Sequence, residues 1–230
     1  MLQDKCYPKI AIDGPAGAGK STVTREIARR LQIKYLDTGA MYRAITLKVI
    51  QENIDLNNSV ALQEMLSKTD VQINGENRVF LDGEDVTSEI RSPQVNRMVS
   101  PVSCISSVRR KMVAIQQAIV MQSRGIIMEG RDIASRVMPD ADFKFFLDAS
   151  VEERARRRMK EQQDKGIFMS AEEVASEIAA RDRIDSTRED SPLAIVPEAI
   201  VIDTTTMAFE EVVDEIIRII REGLSCSGNG

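Results

Sequence analysis

The sequence predicts an α/β protein: a central parallel sheet between helical layers, carrying a small antiparallel β insert. Three observations predict it. Short apolar runs, of the kind that fill strands buried on both faces, alternate with stretches of helical spacing. A glycine-rich loop joins the first such run to the first helical stretch. Residues 70–89 abandon that rhythm for period-two alternation and closely spaced turn signals.

The elements follow in chain order. Lys9 to Asp13 is an apolar strand. After the loop, Val23, Ile27, Ala28 and Leu31 share one helical face, and Arg25, Glu26, Arg29 and Arg30 the other. Ile33 to Leu36 is a second short strand ending at Asp37-Thr38-Gly39, and Tyr42, Ile45 and Val49 mark the next amphipathic helix. In the insert, Val71 and Ile73 alternate with polar residues, Gly75-Glu76-Asn77 turns, Val79-Phe80-Leu81 follows, and Asp82-Gly83 turns again. Ile105, Val108, Met112, Ile115 and Ile119 predict one long helix from Ser103 to Gln122. Strands at Ile126-Ile127-Met128, Phe143 to Leu147 and Ile200-Val201-Ile202 complete the sheet, and Phe209 to Ile220 forms a last amphipathic helix. Ser225 to Gly230 has little apolar content to order it.

The loop is Gly14-Pro15-Ala16-Gly17-Ala18-Gly19-Lys20-Ser21, followed by Thr22. Glycine, four residues, Gly-Lys and Ser is the spacing of a phosphate-binding loop. Its glycines let successive backbone N–H groups turn inward, and the following helix aims its positive end at the same point. Lys20 then reaches the β/γ-phosphates of a nucleotide, and the Ser21 hydroxyl is placed to ligate Mg²⁺.

Composition narrows the chemistry. Lys and Arg total 31 against 36 Asp and Glu, a net charge of −5, which argues against a protein that coats nucleic acid. Histidine is absent, which removes imidazole metal sites, Ser-His-Asp and Cys-His nucleophiles and the commonest general base. Carboxylates, Lys, Arg and a metal ion must do the work. Phosphoryl transfer suits them, because it relies on positioning and charge neutralisation. Cys6, Cys104 and Cys226 match no zinc or redox spacing and read as reduced thiols of a cytoplasmic protein. The N-terminus has no signal-peptide core, and no apolar run reaches membrane-spanning length.

Ligands of an open parallel sheet bind beyond the carboxyl ends of its strands. Four predicted strand ends carry polar groups: the glycine-rich loop, Asp37-Thr38, Glu129 to Asp132, and Asp148 onward. Arginines gather nearby. Arg43 lies just past Thr38 and Arg131 follows a strand directly; Arg154, Arg156, Arg157 and Arg158 crowd one helical stretch, and Arg181, Arg183 and Arg188 another. Guanidinium groups suit phosphate oxygens and keep their charge, so two repelling anions could be held together here. Some of these arginines pair locally instead, with Glu152 and Glu153 in reach of Arg156 and Arg157. Asp182 and Asp185, on the same helix as Arg181, are open to a sugar hydroxyl or a helical salt bridge.

These residues resemble the bacterial cytidylate kinase family. The resemblance spans nearly the whole chain and rests on an ordered set. Its members are Ile12 to Thr22, Leu36-Asp37-Thr38-Gly39-Ala40-Met41-Tyr42-Arg43, Gly130-Arg131-Asp132-Ile133, Phe146 to Ser150, Glu152-Glu153-Arg154-Ala155, Arg181-Asp182-Arg183-Ile184-Asp185, and Arg188 with Pro192-Leu193. One departure follows Ile133, where Ala134-Ser135-Arg136 replaces the family's Gly-Thr continuation.

The resemblance implies a P-loop NTPase-type three-layer fold and Mg²⁺-dependent transfer of the γ-phosphoryl of ATP to CMP or dCMP. It implies a core of residues 1–37 and 101–224 with a lid at about 154–166. A CMP-binding domain at 38–100 would contain the β insert at about 70–89, and 225–230 would be a disordered tail. Gly14 to Thr22 would bind ATP, and Lys20, Arg131, Arg157 and Arg188 would serve catalysis. Thr38, Arg43, Arg131 and Arg188 would grip the CMP phosphate, Ser100, Arg109 and Asp132 would read cytosine, and Arg181 with Asp185 would contact the pentose. A cytoplasmic monomer with no nucleic-acid or membrane partner is the matching expectation. Two rivals stand beside it. Another small P-loop kinase could act on a different monophosphate, or on a small alcohol with Asp37 as a base; a GTP-dependent switch is disfavoured because no Asn-Lys dipeptide occurs.

Overall fold

The computed structural model describes residues 7–164, 166 and 168–227. Its main sheet has five parallel strands: β1 (Lys9–Asp13), β2 (Lys34–Asp37), β6 (Ile126–Gly130), β7 (Phe143–Asp148) and β8 (Ile200–Asp203). Their spatial order is β2-β6-β1-β7-β8, so β1 and its loop lie at the centre. The sheet is apolar on both faces because both are covered. Ile10 and Ile12 pack into one cluster with Val23, Ile27, Val213 and Ile216, from helices α1 (Lys20–Leu31) and α8 (Phe209–Ser227). Ala11, between them, faces a second cluster with Met41 and Ile45 of α2 (Thr38–Gln51) and Met112 of α5 (Ser106–Gln122).

That second cluster runs on without a break into the insert. Leu62, Met65 and Leu66 of α3 (Ser59–Lys68) join Val71, Val79 and Leu81. Here β3 (Val71–Ile73), β4 (Val79–Leu81) and β5 (Glu84–Asp85) form the expected antiparallel unit. Asp82 and Gly83 both have positive φ, 52° and 88°, which closes β4 and β5 with the two-residue turn that Asp-Gly favours.

Two expectations need correction. The single helix from Ser103 to Gln122 is two: α4 (Pro93–Cys104) and α5, separated at Ile105, whose extended backbone (φ −74°, ψ 120°) breaks the ladder. Ser103 belongs to α4, a helix the sequence hides because it carries Pro101 in its interior. The tail is ordered further than expected. Helix α8 runs to Ser227, and Leu224 packs against the core cluster; residues 228–230 lie outside the described residues.

After β7 come α6 (Val151–Gln163) and α7 (Ala171–Thr187). Ser150 and Ser170 cap these helices, and Ser170 with Glu173 completes a capping box. Among the described residues, no helix is long and apolar enough to cross a membrane. Cys104 is a free, half-buried thiol, while Cys6 and the Cys226 side chain lie outside the described residues.

Candidate active site

The loop leaves β1 at the middle of the sheet, and its first glycine is there for space. A Cβ on Gly14 would lie 2.0 Å from the Leu147 carbonyl oxygen of β7, and its φ of 148° disfavours any side chain. Lys20 opens α1. Its buried Nζ donates to the carbonyls of Gly14 and Pro15, both at 2.8 Å, so the ammonium curls over its own loop. Burial, and then repulsion from Arg131, push the Lys20 ammonium down to about 7. Ser21 Oγ donates to Glu129 Oε2 at 2.8 Å, and the Tyr35 hydroxyl donates to the other carboxylate oxygen. Burial, followed by repulsion from Asp37, pushes the Glu129 carboxyl up to about 7. Thr22 is exposed on the first turn of α1.

The neighbouring strand ends supply the opposite wall. Thr38 Oγ1 donates to the Glu129 carbonyl at 2.7 Å, locking β2 to β6. Arg43 is buried one turn further along α2, donating to Ile90 O at 3.3 Å and to Asn96 Oδ1. Arg131 and Asp132 emerge from β6. Arg131 Nε donates to Asp185 Oδ2 at 2.8 Å. Asp132 pairs with Arg109, which is 1 % exposed and lies 5.5 Å from the Tyr42 ring centre, and one of its oxygens is 3.6 Å from Arg188. Arg188 Nε donates to the Ser191 carbonyl at 2.7 Å, but its Nη2 is buried without a hydrogen-bond partner.

Burial and neighbouring cations together weaken several of these charges, whereas carboxylates strengthen Arg109 and Arg131. Arg43 is pushed down to about 9 by burial and then by Arg181 and Arg91. Arg181 is pushed down to about 10 by burial and then by Arg131, and its Nε also lacks a partner. Asp185 and Asp132 steady them. Burial opposes the charge of Asp185, yet Arg131 and Arg181 outweigh that and hold its carboxyl below the usual range. Cations crowded this closely, with donor nitrogens of Arg181 and Arg188 left over, suit an anion among them.

Lys20, Ser21, Arg43, Arg109, Arg131, Asp132, Arg181, Asp185 and Arg188 are brought together by direct or electrostatic contact. Ser100 is buried on α4, but the contact to Arg109 comes from Ser103, whose carbonyl accepts Nη1 at 3.1 Å. Arg157 stands beside Gly19, bonded to Glu153 at 2.8 Å and to Thr204 Oγ1 at 2.9 Å. Glu153, and not Glu152, takes both Arg156 and Arg157, as local helical pairing allows. Asp37 is occupied by the N–H of Ala40 at 3.1 Å, which caps α2, and by Arg91 at 2.8 Å. Those partners leave it poorly placed as a free base for an alcohol acceptor.

Sequence reasoning missed Asp13. It is 3 % exposed and accepts the N–H groups of Ile133 at 2.9 Å and Ala134 at 2.8 Å. These begin a π-helical turn, Ile133–Val137, directly after Asp132. The departure at Ala134 is thus held in place by the residue preceding the loop. A polar residue ending a strand otherwise buried on both faces was the available signal.

The model of the cytidylate kinase family matches residues 10–222. The chain belongs to the cytidylate kinase family. It is 54% identical over 214 residues to a cytidylate kinase from Caldanaerobacter subterraneus subsp. tengcongensis, covering 93% of this chain and 95% of that one. A cytidylate kinase from Pelotomaculum thermopropionicum is 47% identical, with 94% and 97% covered. A bifunctional pantoate ligase/cytidylate kinase from a Synechococcus strain is 46% identical over 96% of this chain but only 42% of its own length. Among solved structures, a gluconokinase from Sinorhizobium meliloti shares the fold, with a TM-score of 0.52 at 14% identity over 98% of both chains. As a member of the cytidylate kinase family the chain is a kinase, and the loop and arginines lie within the matched span.

Proposed function

We propose that the chain transfers the γ-phosphoryl group of ATP to CMP or dCMP, giving ADP and CDP or dCDP. The observation that carries this reading is the meeting of the loop and Lys20 with buried and half-buried arginines, Arg43, Arg131, Arg181 and Arg188, of which Arg181 and Arg188 each keep a buried nitrogen without a hydrogen-bond partner. Lys20 gives up the Gly14 and Pro15 carbonyls for the donor phosphates, and the start of α1 supports the same charge. Thr38, Arg43, Arg131 and Arg188 hold the acceptor phosphate, while Arg181 and Asp185 meet its pentose. Arg131, Arg188 and Arg157, on a lid at about 154–166, offset charge building up on the transferring group.

Base recognition follows from the Asp132–Arg109 pair. Cytosine presents an exocyclic N–H₂ donor beside acceptors at N3 and O2. A carboxylate that accepts and a guanidinium that donates match that edge. Uracil presents O4 and N3–H at the corresponding positions and reverses the pattern.

The residues present suit Mg²⁺. Its preference is for hard oxygen donors, with substrate phosphates and waters completing the shell. The Ser21 hydroxyl and Glu129 carboxylate, 2.8 Å apart beside Lys20, form such an oxygen pair. Ser21 would hold the ion and Glu129 its waters; when bound, it neutralises the β and γ oxygens. The acceptor is a phosphate oxygen, already anionic near neutral pH, so no general base is required. We place the CMP-binding domain at 38–100 and read the enzyme as a cytoplasmic monomer, in keeping with the family resemblance.

The test is incubation with ATP and Mg²⁺ and a panel of nucleoside monophosphates and alcohols, following ADP release. Release dependent on CMP or dCMP is expected. Release that depends on another acceptor, or on none, overturns the assignment.

A further inference from the structure

Asp182 lies between Arg181 and Asp185 on α7, yet it points elsewhere. Residue 182 is turned about 100° from 181 and about 60° from 185 on the helix, enough to send its carboxylate to different partners. Asp185 reaches Arg131, in the acceptor half of the site. Asp182 reaches the donor loop. Its Oδ1 accepts the N–H of Ala16 at 3.2 Å, and its Oδ2 accepts Arg154 Nη1 at 2.5 Å. Arg154 is 5 % exposed and completes the grip, donating to the Ala16 carbonyl at 3.0 Å and to the Ala149 carbonyl at 2.9 Å. Gly17 lets α6 come this close, since a Cβ there would lie 3.1 Å from Arg154 Cβ. Both polar groups of the Ala16 residue are therefore held by side chains of α6 and α7.

We infer that Asp182 is a positioning residue that couples the two substrate sites, through Arg154 and the Ala16 backbone. A helix moves as a unit. Whatever settles Arg181 and Asp185 on an acceptor also settles Asp182, one residue from Arg181, and so fixes the loop that receives the donor phosphates. The loop and α7 are far apart in sequence, and the carboxylate joins them directly. Linkage makes the effect mutual: an acceptor that steadies the loop raises donor affinity by the factor by which the donor raises acceptor affinity.

This inference rests on the acceptor assignment proposed above, and its test separates the two. The affinity of an imido-bridged ATP analogue with Mg²⁺ is measured by calorimetry with and without saturating CMP, in the intact protein and in Asp182→Asn. CMP is expected to tighten analogue binding about 5-fold or more in the intact protein, a typical lower bound for coupled sites. In Asp182→Asn that factor should fall to within about 2-fold of unity, while CMP alone binds as before. Arg154→Lys keeps the charge but loses the planar fork, and should lose coupling in the same way. It serves as the second variant if Asp182→Asn does not fold. Coupling that survives in the variants, or that is absent from the intact protein, overturns the inference. So does an equal weakening of both ligands with the coupling factor intact, which marks a merely structural role. Failure of CMP to bind at all overturns the acceptor assignment instead.

Discussion

Lys20 concentrates the problem this site solves. A buried ammonium beside Arg131 is unfavourable, and the loop carbonyls at 2.8 Å hold it where phosphates would otherwise compensate it. Lys20→Ala should therefore fold and lose turnover by about 100-fold or more, the usual cost of deleting a donor to transition-state charge. Steady-state ADP release and thermal unfolding together check this, and a nearly normal kcat sinks the assignment. Asp132→Asn keeps the shape of the side chain but weakens its acceptor character. The ratio of kcat/KM for CMP over UMP should drop by about 10-fold or more, as expected when a site built for one hydrogen-bond pattern loses it. An unchanged ratio would remove Asp132 from the base site. Asp13 yields a pH signature. Burial raises its carboxyl from 3.8 to about 6, so between those values the folded state binds more protons than the unfolded chain. Stability contributed by this residue thus falls as pH rises through that window. Denaturant titrations of Asp13→Asn should show a flatter dependence between about pH 4 and 6; an unchanged slope contradicts the burial account.

Single elements explain why some of this was legible and some was not. The glycine-rich loop and the strand ends could be read because glycine and short apolar runs carry local information. Gly14→Ala should destabilise the protein by about 3 kcal/mol or more, measured by thermal unfolding, since the Leu147 carbonyl cannot yield to a Cβ without moving β7. A fully stable variant would mean that the strand and loop are free to separate. Helix α4 was illegible for the opposite reason. Pro101 and its serines weaken local helix preference, and burial of Val95, Val99 and Val102 decides the matter through tertiary contact. Helix α3 buries only Leu62, Met65 and Leu66, too narrow a stripe to stand out. The grips that Asp13 and Asp182 exert depend on contacts more than a hundred residues apart in sequence. No spacing rule reaches them, and Asp182 was open to two readings until the structure showed a third.

At the scale of the whole molecule, the strand order sets the chemistry. Placing β1 between β6 and β7, with β2 beyond β6, brings the loop, Thr38 and Arg131–Asp132 together at the carboxyl ends of the strands. Helix α7 and Arg188 then contact the same strand ends, through Asp185, Asp182 and Asp132. The loop alone specifies a nucleotide phosphate. Its opposition to a second set of arginines is what makes it half of a transfer site. The most direct test follows the γ-phosphoryl group itself. ATP carrying a radioactive γ-phosphorus is incubated with the protein, Mg²⁺ and CMP, and the products are separated. The label should appear in CDP, at a rate that falls sharply in Lys20→Ala and Arg188→Ala. Label recovered as inorganic phosphate, with CMP unchanged, would contradict the two-halves account.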